Sequence, residues 1–215
     1  MRRYTVMPAG QPPPLCGTAY QTPWQRARVL RIDSYPWYVD GLKQTTTVRL
    51  MYDRANLYVQ FRCRDCHISA VETRLHGDVY LDSCVELFAG VDEVYFNLEI
   101  NCCGVMHLGA GTSRYGRTLI DAALAGRIKI ATPFRGPRKS ESPDDKAWWA
   151  AAKIPFAVLN RFLGRRVTPR PGAVWRANFY RCGGQTDPQY ACWNPIDWPQ
   201  PDFHRPEFFG RLRFA

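Results

Sequence analysis

The chain has 215 residues, 46% hydrophobic, 13% aromatic and 22% charged, with 16 Gly and 17 Pro. That apolar share is enough for a core without disulfide or metal staples, and the mixture excludes a coiled coil, a helical bundle and a disordered tail. Lys and Arg total 29 against 19 Asp and Glu, a net charge of +10, and 24 of the 29 are Arg.

Residues 1–23 are rich in Pro, Gly and Gln and read as an irregular N-terminal segment ahead of one domain over 24–215. After that, period two dominates. Thr47 to Tyr52 alternates, Arg54-Ala55-Asn56 makes a turn, and Leu57, Val59, Phe61 and Cys63 then share one apolar face. Cys84 to Ala89 predicts a third strand. In a fourth, Val94, Phe96, Leu98 and Ile100 alternate with Tyr95, Asn97, Glu99 and Asn101. Shorter strands are expected at 105–109, 127–132 and 147–154. Residues 119–126 suit a turn or two of helix. Pro155 to Gly164 has Pro at a helix start and Gly at its end. Ala173 to Arg181 alternates again, and Phe208, Gly210, Leu212 and Phe214 close the chain. Eight or more strands with almost no helix predict an all-β fold. The expected form is an antiparallel two-sheet β-sandwich, jelly-roll-like, with one or two short helices.

No apolar run approaches the roughly 20 residues of a spanning helix, so no membrane span is expected. The Met1 to Pro8 stretch is basic but lacks the apolar core of a signal peptide, which reads as cytoplasmic and leaves localisation open. Cys63, Cys84, Cys102 and Cys182 lie in apolar or alternating runs, where a reduced thiol acts as a small hydrophobe. The Arg residues are dispersed, with only Arg161, Arg165, Arg166, Arg170 and Arg176 approaching a cluster. A solvated basic face is expected, with only weak, salt-sensitive nucleic-acid binding.

No Gly-x-Ser-x-Gly elbow, phosphate loop or His-Glu-x-x-His occurs, and the four His (67, 76, 107 and 204) have no triad spacing. Asp82, Glu86 and Glu99 could in principle pair as glycosidase carboxylates, but the polar faces of strands explain Glu86 and Glu99 equally well. No catalytic residue is assigned. Cys63-Arg64-Asp65-Cys66-His67 matches the Cys-x-x-Cys-His pattern of covalent haem attachment, with Met106 or His107 as the opposite ligand. This haem-binding, cytochrome-type reading is the alternative. Cys63 continues an apolar face, so the expectation is a buried thiol and no haem. Tyr80, Trp193, Trp198 and Phe203 lie in turn-rich segments. Rings displayed there suit stacking on sugar faces, or else plug the ends of a sandwich.

Several stretches together resemble the family 9 carbohydrate-binding modules, and more closely the stand-alone family 9-like proteins of bacteria. They are the hairpin Val48 to Asp53 and Asn56 to Val59, the strand Asp82-Ser83-Cys84-Val85-Glu86-Leu87-Phe88, and Tyr95-Phe96-Asn97 with Asn101-Cys102. Trp175 to Tyr180, Trp193-Asn194-Pro195 and the ending Asp202 to Leu212 complete the set. The resemblance spans about residues 45–214. It implies a non-catalytic sandwich, often with structural calcium, that holds a sugar or short glycan between two aromatic rings. It places those rings at Tyr80 and Phe203, where the modules carry Trp. Positions that hold an Arg and a Gln in the modules fall near Asn97 and Tyr180, and Trp193 and His204 complete the implied surround. Metal ligands and oligomeric state are left open.

Overall fold

The computed structural model describes residues 1–215. In chain order the strands are β1 (Arg3–Pro8), β2 (Leu30–Ile32), β3 (Thr46–Tyr52), β4 (Asn56–Arg64), β5 (Cys84–Gly90), β6 (Tyr95–Asn101) and β7 (Met106–Gly111). They continue with β8 (Thr118–Leu119), β9 (Lys129–Ala131), β10 (Ala147–Pro155), β11 (Val174–Cys182), β12 (Ala191–Cys192) and β13 (Gly210–Phe214). Helix is confined to α1 (Ala122–Ala125), α2 (Phe156–Phe162) and three single 3-10 turns. The Asp121 carboxylate caps α1 by accepting from the Leu124 N–H, and Pro155 precedes α2.

The fold is mostly β, as the alternation predicts, but the sheet is not two separate antiparallel layers. The strands join in the order β8-β7-β6-β5-β11-β13-β1-β3-β4-β10-β9, with β12 added to β11 and β2 to β3. This is one mixed sheet that curls until its halves face each other. Phe61 of β4 meets Phe179 of β11 at 6.3 Å between ring centroids.

The strand that joins the halves is β1, inside the segment expected to be irregular. It runs parallel to β13, with Tyr4 beside Leu212, and parallel to β3, with Met7 beside Met51. Tyr4 and Val6 are buried while Arg3, Thr5 and Met7 reach outward, so a short alternation is present within Pro- and Gly-rich surroundings. Pro8 sits at the strand's end, where its missing N–H costs no ladder bond.

A cluster of 42 buried residues fills the interior, and Cys63 and Met106 both belong to it. Cys63 pairs in register with Thr46 and Trp148 inside the sheet, and burial pushes its thiol up to about 11. Just beyond the strand, the Cys66 N–H donates to Gln44 Oε1 (2.8 Å) and the His67 N–H to Asp65 Oδ1 (3.1 Å). The Cys-x-x-Cys-His pattern is therefore a strand end running into a turn. A thiol sealed in packed side chains does not fit a haem thioether, and the haem reading is set aside.

Inside the curl sits one ion pair. Arg181 Nη2 donates to Asp65 Oδ2 at 2.6 Å, with both side chains almost fully buried. Removing one partner of such a pair strands the other charge, which typically costs about 3–5 kcal/mol. Asp65→Ala is expected to lose stability on that scale in urea unfolding, and Asp65→Ala combined with Arg181→Met to recover part of the loss. An unchanged midpoint in the single variant would show that the pair does not hold the halves together.

Candidate functional site

Alternation dictates which side chains can form a site. Val85, Leu87 and Ala89 of β5 and Phe96, Leu98 and Ile100 of β6 point into the core. Glu86, Phe88, Tyr95, Asn97 and Glu99 therefore share the opposite face. Register aligns them in rows. Tyr180, Glu86, Glu99 and His107 lie opposite one another across β11, β5, β6 and β7, and Phe88, Asn97 and Gly109 form the next row. Segments from the β4–β5, β7–β8, β11–β12 and β12–β13 connections rise around this floor. They bring Asp78, Tyr80, Arg114, Arg117, Tyr190, Asp202, Phe203 and His204 to a cleft of about 470 Å³. That volume is in the range of small-molecule sites, about 300–1,000 Å³.

The floor is polar and tightly held. Arg117 donates to Asn97 Oδ1 from Nη2 (2.7 Å) and Nε (3.0 Å), to the Tyr95 carbonyl (3.1 Å) and to the Ser113 carbonyl (2.6 Å). Its guanidinium also lies 4.4 Å over the Tyr95 ring. Gly109 makes room for this reach, since a Cβ there would stand 3.4 Å from Arg117 Nε and 3.0 Å from Asn97 Oδ1. With its oxygen taken, Asn97 donates from Nδ2 to Glu99 Oε1 at 2.7 Å. The thiol of Cys182 donates to Glu86 Oε1 at 3.3 Å. Beside the floor, His204 Nδ1 is 3.0 Å from the Tyr95 hydroxyl, and the His204 backbone N–H donates to Asp202 Oδ1.

The aromatic walls are unequal. Phe203 stacks on Tyr180 with centroids 4.1 Å apart and planes 7° apart, and the Tyr180 hydroxyl donates to the Phe203 carbonyl at 3.0 Å. Tyr80 stands 45% exposed at the rim. Gln189 and Tyr190 both adopt positive φ, 61° and 43°, a conformation costly for non-glycine residues. The turn is held by the fully buried Gln189 side chain, which accepts from the Gln44 N–H and donates to the Leu42 carbonyl.

Of the residues expected at the site, Tyr80, Asn97, Phe203 and His204 line this cleft. Tyr180 lies one layer beneath, fully buried under Phe203. Trp193 is 4% exposed in the core against Phe179, 5.6 Å between centroids, and does not reach the cleft. Glu86 and Glu99, read in the sequence as conceivable glycosidase carboxylates or as polar strand faces, form the floor. Arg114, Arg117 and Tyr190 carried no sequence signal, and Asp202 entered only as the start of the family-like ending. Asp82 faces elsewhere, its carboxylate accepting from the N–H groups of Val71 and Glu72 and from Asn101 Nδ2. Asp65 is likewise saturated by N–H and O–H donors. No three His, Cys, Asp or Glu side chains converge to hold a metal ion. Asp65 and Asp82, already engaged by donors, do not fit as calcium ligands.

Burial controls protonation here. It raises Glu99 to about 7, with the Asn97 hydrogen bond and the Arg117 charge opposing the shift. Glu86 is pushed well above the usual carboxyl range by burial and then by the charge of Glu99. His204 is lowered to about 3 by burial and by the charges of Arg117 and Arg114, so its imidazole is neutral. The two effects have opposite signs in stability. Folded Glu99 keeps its proton up to about 7 while the unfolded carboxyl releases it near 4.5, so its contribution is lost as pH rises between them. His204 contributes stability above about 6.5 that is lost as pH falls towards 3. Relative to wild type, Glu99→Gln is expected to gain in Tm as pH rises from 4.5 to 7, at about 2–4 °C per kcal/mol for a chain this size. Parallel pH profiles of Tm for the two proteins would contradict the Glu99 assignment.

The model of carbohydrate-binding family 9 matches residues 21–214. Among solved structures, the chain is similar to a candidate carbohydrate-binding protein from Bacteroides uniformis, at 23% identity and a TM-score of 0.85, with 100% of this chain and 99% of that one covered. It is also similar to a family 9 carbohydrate-binding module from Caldicellulosiruptor kristjanssonii in complex with glucose, at 16% identity and a TM-score of 0.65, covering 100% and 96% of the two chains. The structure from that organism in complex with cellotriose gives 16% identity, a TM-score of 0.64, and 99% and 93% coverage. No curated protein matches the sequence. At these identities the structural likenesses speak for the fold, while the family match runs over nearly the whole chain: this chain belongs to carbohydrate-binding family 9.

Proposed function

We propose that the protein is a non-catalytic carbohydrate-binding protein that holds a sugar ring in the cleft, against Tyr80 and Phe203. The observation that carries this reading is the cleft itself, where rings on loop-borne walls stand over a floor of Glu86, Asn97 and Glu99. Aromatic faces suit the C–H faces of a pyranose, and directional acceptors on the floor suit its hydroxyls. The related modules described in complex with glucose and with cellotriose support the ligand class. Glu86 and Glu99 sit side by side on adjacent strands. A glycosidase pair must instead flank the scissile bond, which favours binding over hydrolysis. Tyr180 acts by positioning Phe203, and His204 by anchoring the Tyr95 hydroxyl at the cleft's edge.

The two rings separate binding from stability. Tyr80→Ala is expected to weaken the best glycan by about tenfold, or roughly 1.4 kcal/mol. Its exposure keeps the change in folding stability within about 0.5 kcal/mol. Phe203→Ala is expected to lower both affinity and Tm, because it also uncovers Tyr180. Calorimetric titration of glycans against wild type and both variants checks this. Affinity that survives both substitutions would overturn the reading of the rings.

A further inference from the structure

The chain as a whole is basic, at +10, yet the cleft is not. Four carboxyl groups line it (Asp78, Glu86, Glu99 and Asp202) against two guanidinium groups, Arg114 and Arg117. His204 is neutral, and burial lowers His107 as well. The two cations are already committed. Arg114 pairs with Asp202 at 3.3 Å, and Arg117 is bound to Asn97 and to the carbonyls of Tyr95 and Ser113. Neither forms a salt bridge with Glu86 or Glu99.

Those two carboxyls are 2% and 7% exposed and stand directly opposite each other across β5 and β6. Each uses one oxygen only, Glu86 Oε1 for the Cys182 thiol and Glu99 Oε1 for the Asn97 amide. The second oxygen of each has no protein partner and is not among the atoms sealed from solvent, so it opens into the cleft. Two buried, adjacent acids with free oxygens are acceptors for a group that brings positive charge and several N–H donors. A neutral hydroxyl brings one donor and no charge.

We propose that the cleft selects a cationic amino sugar, a hexosamine with a free ammonium group, over the corresponding neutral hexose, with the ammonium seated between Glu86 and Glu99. The proposal rests on the sugar-binding reading above and adds the ligand's charge to it. The pyranose faces meet Tyr80 and Phe203 as for any sugar, and the ammonium donates to the two free carboxyl oxygens. The charged ligand then stands where a proton otherwise neutralises the pair.

Calorimetric titration at pH 6, where the amine is protonated, tests this with glucosamine, glucose, N-acetylglucosamine and a panel of neutral oligosaccharides. Glucosamine is expected to bind at least about tenfold more tightly than glucose, and N-acetylation, which removes the charge, to abolish the advantage. The preference should shrink at high salt, since it is electrostatic. In Glu99→Gln the ratio of glucosamine to glucose affinity should fall towards one. If that variant does not fold, the contrast between the free and acetylated amine in wild type decides alone. Equal or tighter binding of glucose or N-acetylglucosamine overturns the proposal, as does a preference that survives Glu99→Gln. Neutral glycans that bind in a Tyr80-dependent way without a preference for the amine leave sugar binding standing and remove only the charge selection. Failure of every sugar to bind removes both.

Discussion

The Asp65 carboxylate is the point on which the two halves of the curled sheet converge. Its Oδ2 accepts from Arg181 Nη2 of β11 (2.6 Å), from Trp148 Nε1 of β10 (2.9 Å) and from the Ser83 hydroxyl just before β5 (2.9 Å), while Oδ1 accepts from the His67 N–H. Asp65 itself follows β4. One buried anion thus ties three strands and the start of a fourth, drawn from both sides of the curl. Burying it is costly, and only a full set of donors offsets the loss of water. Its charge holds the Arg181 guanidinium above the usual range against the opposing effect of burial. The consequence reaches the cleft through geometry. With Arg181 fixed inward, its neighbours Tyr180 and Cys182 must face outward, which sets the floor under Phe203 and the thiol donor to Glu86.

Strands that alternate and pair with their neighbours in sequence were legible in advance. The hairpin of β3 and β4, the β5–β6 pair, β11 and β13 all appear close to where periodicity places them. The strand β1 was not, because its alternation is brief and flanked by Pro and Gly. Its parallel partners lie about 45 and 200 residues away in a chain of 215. Alternation says which residues share a face but not which strands become neighbours. The step from two antiparallel layers to one mixed sheet was therefore hidden from it.

The site divides in the same way. Tyr80, Asn97, Phe203 and His204 meet at one cleft. Trp193 does not, and Gly210 explains why: a Cβ there would stand 2.5 Å from the indole, so the glycine makes the space that draws Trp193 into the core. Tyr180 lies on the face of the floor but is covered by Phe203. Arg117 was invisible because its role depends on Gly109 and on a loop folding back over β6, and neither leaves a pattern in the sequence. Side chains on strands could be assigned to faces, whereas those on connections had to be seen.

That division bears on how such a cleft changes its ligand. Its floor is built from β5, β6 and β7, and its walls come from connections that hydrogen bonds and ring stacking tie back to those strands and to β11. Asn97 illustrates the first. It accepts from Arg117 with its oxygen and donates to Glu99 with its amide nitrogen. The positive charge is thereby held against Tyr95 and Asn97, with Gly109 leaving the passage, while the free acceptor oxygens face the opening. Phe203 is locked by its stack on Tyr180, whereas Tyr80 is half exposed. The cleft thus combines a fixed acidic floor with one rigid and one exposed wall.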